Sequence, residues 1–331
     1  MDIKDDKAHV SLVERERVTS KKYKSAVREL NAHEKELNAL LQIQKGRRVH
    51  SIRRRLPSKS SEATAIVCAS DWHVEEEVKK CKVSGLNQYN LAIAKKRAEQ
   101  FFVRALKLVR KEQQDIPIKE MVLFLGGDFI SGNIHEELLE NCLLRPIEAI
   151  IYAQELIQSG IEYLLENSDL HLTIVCACGN HSRITGKTHI STEQGNSLEY
   201  FMYHTLRSRM KNERIHFVIG DGYHIYLPVY DKVLRFHHGH SLKYGGGVGG
   251  LTIPVNKAIS QWNKARWADR DIFGHWHTYM TMSNFVGNGS MIGYNAFALS
   301  IKADFERPQQ SFFLVDKVRG FTVHVPILFD C

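Results

Sequence analysis

Apolar and polar positions change period several times along the chain, and each change marks an element. From about residue 10 to 45, Val13, Tyr23, Val27, Leu30, Leu37 and Leu41 fit one a/d stripe, broken by Ser20 and Glu34 at core-type positions. The pattern predicts a helix whose seam suits packing or self-association but is too short and broken for a committed coiled coil. From residue 63 onward, short β-branched apolar runs alternate with longer amphipathic stretches. ATAIVCAS (63–70), MVLFLG (121–126) and LHLTIVCACG (170–179) read as strands buried on both faces. Residues 87–113, most of 134–166, 196–211 and 252–266 read as helices. Strand-like runs dominate the second half: HFVIG, YHIYLPV, KVLRFHH, DIFGHW, SMIGYNAFAL, SFFLVD and FTVHVPIL. Strand–helix alternation followed by several strands predicts an α/β sandwich with mixed sheets and helices outside.

Charge divides the chain differently. It carries 45 Lys and Arg against 37 Asp and Glu. Residues 1–62 hold 16 of those bases and 9 of the acids, leaving 29 bases and 28 acids in the other 269 residues. Residues 45–59 contain Lys45, Arg47, Arg48, Arg53, Arg54, Arg55 and Lys59 with no acid, and Pro57 with its flanking serines marks a linker. Two regions follow: a basic, mostly helical arm over 1–62 and a nearly neutral domain over 63–331.

At 43% hydrophobic and 25% charged, the composition is that of an ordinary globular protein. No apolar run approaches the ~20 residues of a membrane span, and the polar N-terminus MDIKDDKAHV lacks the apolar core of a signal peptide. The six cysteines form no C-x-x-C pair, and Cys176 and Cys178 read as two small buried thiols. A reduced, cytoplasmic setting is expected, without a membrane partner.

The chemistry-bearing residues follow the apolar runs. The first ends at Asp71-Trp72-His73, where side chains two apart on an extended chain face the same way. The second ends at Gly126-Gly127-Asp128 and the third at Gly179-Asn180-His181. Later come Phe236-His237-His238-Gly239-His240 and Gly274-His275-Trp276-His277. Carboxyl ends of sheet strands are where α/β folds place their sites. Asp, His and Asn without cysteine suit Mn²⁺, Fe²⁺, Zn²⁺ or Ni²⁺. Seven such ligands are too many for one ion and suit two sharing a bridging carboxylate.

This order, D-x-H, G-D, G-N-H, H-G-H, G-H-x-H, resembles the calcineurin-like metallophosphoesterase superfamily from about residue 66 onward. The resemblance implies a sandwich of two mixed sheets flanked by helices. It also implies two divalent ions, with Mn²⁺ favoured. Asp71, His73 and His277 would hold the first and Asn180, His238 and His275 the second, with Asp128 bridging and His181 as catalytic histidine. His237 and His240 flank His238, and the sequence leaves a one-position shift open there. Many relatives carry an acidic residue after G-N-H that can orient the histidine; this chain has Ser182-Arg183. Arg183 and His240 are expected at the substrate, while an exposed basic loop is the plain alternative for Arg183. The glycine-rich stretch 244–250 lacks the G-K-[ST] ending of a Walker loop.

The implied activity is hydrolysis of phosphodiesters by a hydroxide activated between two metals. The motif set is similar to the repair-nuclease branch, and the basic arm fits a polyanion, DNA before RNA. Hydrolysis of a small phosphoester (a cyclic nucleotide, dinucleotide or phosphomonoester) fits the same ligands, and a non-catalytic scaffold is a third reading. Self-association through the N-terminal helix is a further expectation.

Overall fold

The three apolar runs become neighbouring parallel strands at the centre of one sheet. A computed structural model describes residues 3–44, 61–134, 136–246 and 249–330, and the chain divides into two units, Met1–Ser58 and Lys59–Cys331. In the first unit α1 spans Ile3–Gln44. Its stripe residues Val13, Tyr23, Val27, Leu30, Leu37 and Leu41 are all exposed. The basic run 45–59 and its linker lie outside the described residues, as does Cys331.

The second unit begins with β1 (Ala63–Ala69), α2 (Leu91–Glu112), β2 (Ile118–Leu125), α3 (Glu136–Asn141), α4 (Pro146–Glu166), β3 (His171–Cys176), α5 (Leu198–Arg209) and β4 (Ile215–Ile219). Then come β5 (Ile225–Val229), β6 (Lys232–Phe236), α6 (Thr252–Ala265), β7 (Arg270–Phe273), β8 (Met280–Thr281) and β9 (Phe285–Gly287). The last elements are α7 (Ala296–Ser300), β10 (Gln309–Asp316) and β11 (Gly320–Leu328). One sheet has the order β11-β10-β1-β2-β3-β4, the other β5-β6-β7-β9-β8. Both are mixed. β1 through β4 run parallel while β10 and β11 are antiparallel additions, and β6, β7 and β9 are parallel between antiparallel neighbours.

Alternation along β1 explains why its run is apolar except for Thr64. Ala65, Val67 and Ala69 pack with Phe101 and Phe102 of α2 and Ile157 of α4, whereas Ile66 and Cys68 face Leu234, Phe236 and Ile272 of the other sheet. A smaller cluster, Phe273 and Phe285 with Val255 and Ile259, packs α6 beneath that second sheet. At ~25 cal/mol per Å² of apolar surface, the layers facing both sides of the first sheet dominate the stability of this unit. Cys176 and Cys178 are free thiols buried in the first layer. Among the described residues no helix is long and apolar enough to cross a membrane.

One expected strand needs correction, and two details refine the rest. The helical stretch 134–166 is two helices, because Pro146 at the first turn of α4 starts a new one after Arg145. SMIGYNAFAL is not a strand. Side chains hold its carbonyls, Asn87 those of Ile292 and Tyr294 and Arg97 that of Met291, and Asn295 then caps α7 through the Ala298 amide. The short strands β8 and β9 have no counterpart among the expected runs.

Candidate metal centre

The motif residues lie in the loops that leave the carboxyl ends of β1, β2, β3, β6 and β7. They are not on the strands themselves. β1 stops at Ala69, so Asp71 and His73 do not share a face through strand alternation. Both adopt left-handed backbone instead, with φ 57° and 46°. His275 and His277 do the same at φ 68° and 52°, as does Asp128 at 53°. Non-glycine residues avoid this region because Cβ crowds the following carbonyl.

Three groups of ligand atoms converge, each within 4.8 Å internally: Asp71, His73 and His277; His73, Asp128 and His181; Asp128, His238 and His275. Asn180 joins the third, its Oδ1 3.2 Å from His238 Nε2. The second group places His181, expected as the catalytic histidine, among residues able to hold an ion. At H-G-H the two histidines point differently: His238 Nε2 lies 2.9 Å from Asp128 Oδ2, whereas His237 stacks on Phe273 and faces Asp271 at 3.4 Å.

The donor chemistry fits a cation. His73 Nε2 is buried without a protein partner, in the same group as the Asp71 carboxylate. Burial pushes the pKa values of His73 and His275 well below the ordinary histidine value, so both rings present neutral nitrogen lone pairs. Burial opposes charge on His238 too, but Asp128 beside it prevails and raises its pKa to about 10.

Buried partners fix the ligands. Gly126 O accepts the His238 Nδ1 proton at 2.7 Å, leaving Nε2 toward Asp128. The Ser70 hydroxyl donates to Asp71, and the His275 amide donates to both its oxygens at 3.0 and 3.1 Å. Glycines make room. A β-carbon on Gly274 would meet Asp71 Oδ2 at 2.4 Å, and one on Gly179 would meet Asp128 Oδ1 at 2.1 Å.

Ser131, absent from the expected site, supplies what Ser182-Arg183 does not. Its carbonyl accepts the His181 Nδ1 proton at 2.8 Å, so Nε2 is the nitrogen left to exchange a proton. Its hydroxyl lies 3.0 Å from His73 Nδ1 and donates to Glu76 at 3.2 Å. Its amide donates to Glu75, a carboxyl that burial pushes up to about 7. In the sequence Glu75 and Glu76 belong to VEEEV, and neither these carboxylates nor a lone serine forms a ligand motif. Arg183 donates to the Asn180 and Thr185 carbonyls at 2.6 and 3.1 Å, fastening its own loop, and lines a small cavity with Asn180 and Glu193. His240 Nε2 faces Glu193 at 3.1 Å. Neither residue joins the three ligand groups.

The chain resembles the calcineurin-like metallophosphoesterases. The likeness lies in motif order, in the two packed mixed sheets, and in the strand-end loops that carry the motifs. No protein-family model and no curated protein matches the chain. Among solved structures it is similar to an archaeal phosphodiesterase, at 13% identity over 80% of this chain and 99% of that one, TM-score 0.36. It is also similar to a predicted phosphoesterase of Streptococcus pneumoniae, at 10% identity over 78% and 86%, TM-score 0.31. A third is Vps29 of Entamoeba histolytica complexed with Zn²⁺, at 12% identity over 80% and 99%, TM-score 0.29. At TM-scores this low, the case for any chemistry rests on the side chains alone.

Proposed function

We propose that the chain is a metal-dependent phosphodiesterase that cleaves nucleic acid. The observation that carries the metal-dependent part is the convergence of Asp71, His73, Asp128, His238, His275 and His277 at the ends of parallel strands, with Asp128 common to two ligand groups. Asp71, His73 and His277 would hold one divalent ion and Asn180, His238 and His275 another, with Asp128 between them; such oxygen and nitrogen donors suit Mn²⁺, Fe²⁺, Zn²⁺ or Ni²⁺, and the reading takes Mn²⁺ first. Bound there, the ions supply charge neutralisation for phosphate oxygens and a more acidic water. His181 supplies proton transfer or a hydrogen bond to the leaving oxygen from Nε2, its ring held by the Ser131 carbonyl. The intact ligand set with His181 present argues against the non-catalytic scaffold.

The nucleic-acid part rests on charge. Residues 1–62 hold 16 bases against 9 acids, and clustered Lys and Arg gain affinity for phosphates by releasing counterions. The near balance of charge over residues 63–331 favours the second reading, a small phosphoester. One panel separates them: hydrolysis of bis-p-nitrophenyl phosphate, p-nitrophenyl phosphate, linear and circular DNA, RNA and cyclic nucleotides with Mn²⁺ and with chelator. DNA cleavage that chelator abolishes is the expected result. Activity on the monoester alone sinks the nuclease reading, and activity on nothing at full metal occupancy leaves only a scaffold.

A further inference from the structure

We infer that Glu199, which lies outside the ligand set, is a positioning residue that holds the second metal group in register with the bridging carboxylate. This rests on the metal reading above. Glu199 sits in the first turn of α5, after Ser197 caps that helix through the Tyr200 amide. It is fully buried. One oxygen accepts the Phe129 amide at 2.7 Å and the other the Gly179 amide at 2.7 Å. Phe129 follows Asp128 and Gly179 precedes Asn180, so a single carboxylate clamps the G-D loop to the G-N-H loop. A second tie is the His181 amide, which donates to Asp128 Oδ1 at 2.8 Å. The loops are in full contact between these ties, since a β-carbon on Gly127 would meet the Gly179 amide at 2.2 Å.

The first metal group does not depend on this clamp. Main-chain bonds zip the D-x-H loop to the G-D loop on the other side: Asp71 to Gly127, Trp72 and His73 to Asp128, and Val74 to Phe129, at 2.9 to 3.2 Å. Loosening Glu199 therefore frees the Asn180 side of Asp128 while the Asp71 side stays tied. An uncompensated buried carboxyl at this spot would be costly, and two amide donors satisfy it. In Glu199→Gln the side-chain NH₂ meets one of those amide donors head on, so one tie breaks with no change of volume.

The test is calorimetric titration of the full-length apo protein with Mn²⁺, for wild type, E199Q and E199D, alongside thermal unfolding of each apo form. Aspartate keeps the carboxyl group but is one methylene too short to reach both amides. The expected result is two sites in wild type. Both variants should keep the first within about twofold and weaken the second about 10–100-fold, the range for removing outer partners of metal ligands. Equal weakening of both sites, or two sites of wild-type affinity in both variants, overturns the role assigned to Glu199. Wild type that binds no divalent ion overturns the metal reading itself, and this inference with it.

Discussion

Replacing Gly179 by alanine tests whether the contact between the G-D and G-N-H loops sets the reactive geometry. The new β-carbon would sit 2.1 Å from Asp128 Oδ1 and 2.2 Å from the Asp128 amide nitrogen, where ordinary contact begins at 3.4 Å. Relieving the closer approach means a separation of about 1.3 Å, from 2.1 to 3.4 Å. Neither obstacle is a free side-chain tip. The carboxylate oxygen accepts the His181 amide, and the nitrogen belongs to the strand-end loop. Overpacking of this kind costs about 1–3 kcal/mol of stability, which lowers the melting temperature by several degrees. Misplacement by about 1 Å costs on the order of 100-fold in turnover. The assay compares Gly179→Ala with Gly186→Ala, a change in the same loop whose β-carbon meets nothing within 4 Å. Turnover of bis-p-nitrophenyl phosphate, Mn²⁺ affinity and thermal unfolding are measured for both. If Gly179→Ala turns over within about threefold of Gly186→Ala, the loop contact does not govern the site, and the reasoning from steric fit fails.

Three further outcomes follow from the geometry. His181→Ala should lower kcat by about 10²–10⁴ while leaving metal content unchanged; metal loss in parallel would make His181 a ligand, as its place beside His73 and Asp128 permits. Deleting residues 1–60 should weaken DNA binding and flatten its salt dependence, by about 0.9 in log–log slope for each phosphate that the arm neutralises, with small-substrate turnover unchanged; unaltered DNA binding removes the arm from the proposal. Away from the centre, burial and the Arg270 guanidinium lower the pKa of His324 to about 4. The unfolded chain then binds the extra proton between pH 6.5 and 4, so stability from this residue is present above 6.5 and lost as pH falls through that window. Chemical denaturation across pH 4–7 should show a shallower loss for His324→Asn, and identical slopes would contradict the assignment.

Much of the fold was legible because the first sheet is buried on both faces. A strand such as β1, with helices on one side and a second sheet on the other, buries both faces, so its run is apolar except for Thr64. Elements too short to show a period were not legible. β8 has two residues and β9 three; β9 is placed by pairing with β7, and β8 by pairing with β9, rather than by their own pattern. The segment 290–299 misled for a different reason. Its apolar side chains suit a strand, but Arg97 and Asn87 reach across from distant positions to take its carbonyls. No local reading contains those partners. Ser131, Glu75 and Glu199 escaped in the same way, since each acts through bonds to groups remote in sequence.

The left-handed residues show why motif order was readable while the geometry behind it was not. Nine non-glycine residues among those described have φ between 46° and 68°, and five of them are Asp71, His73, Asp128, His275 and His277. Each such residue costs about 1–3 kcal/mol. Glycine would remove that cost, and local propensity would place it there, but glycine carries no ligand. Asp and His at these five positions therefore violate the local rule where the side chain is needed, and the neighbouring glycines (Gly127, Gly179, Gly274) take the close contacts instead. The tie between the first two loops, through the Asp71, Trp72, His73 and Val74 amides, is what holds three of the five in place. Strain of this kind is retained only where the surrounding contacts over-determine it. Its concentration on one cluster points to that cluster as the working part of the molecule, by a route independent of motif order and of any likeness to other proteins.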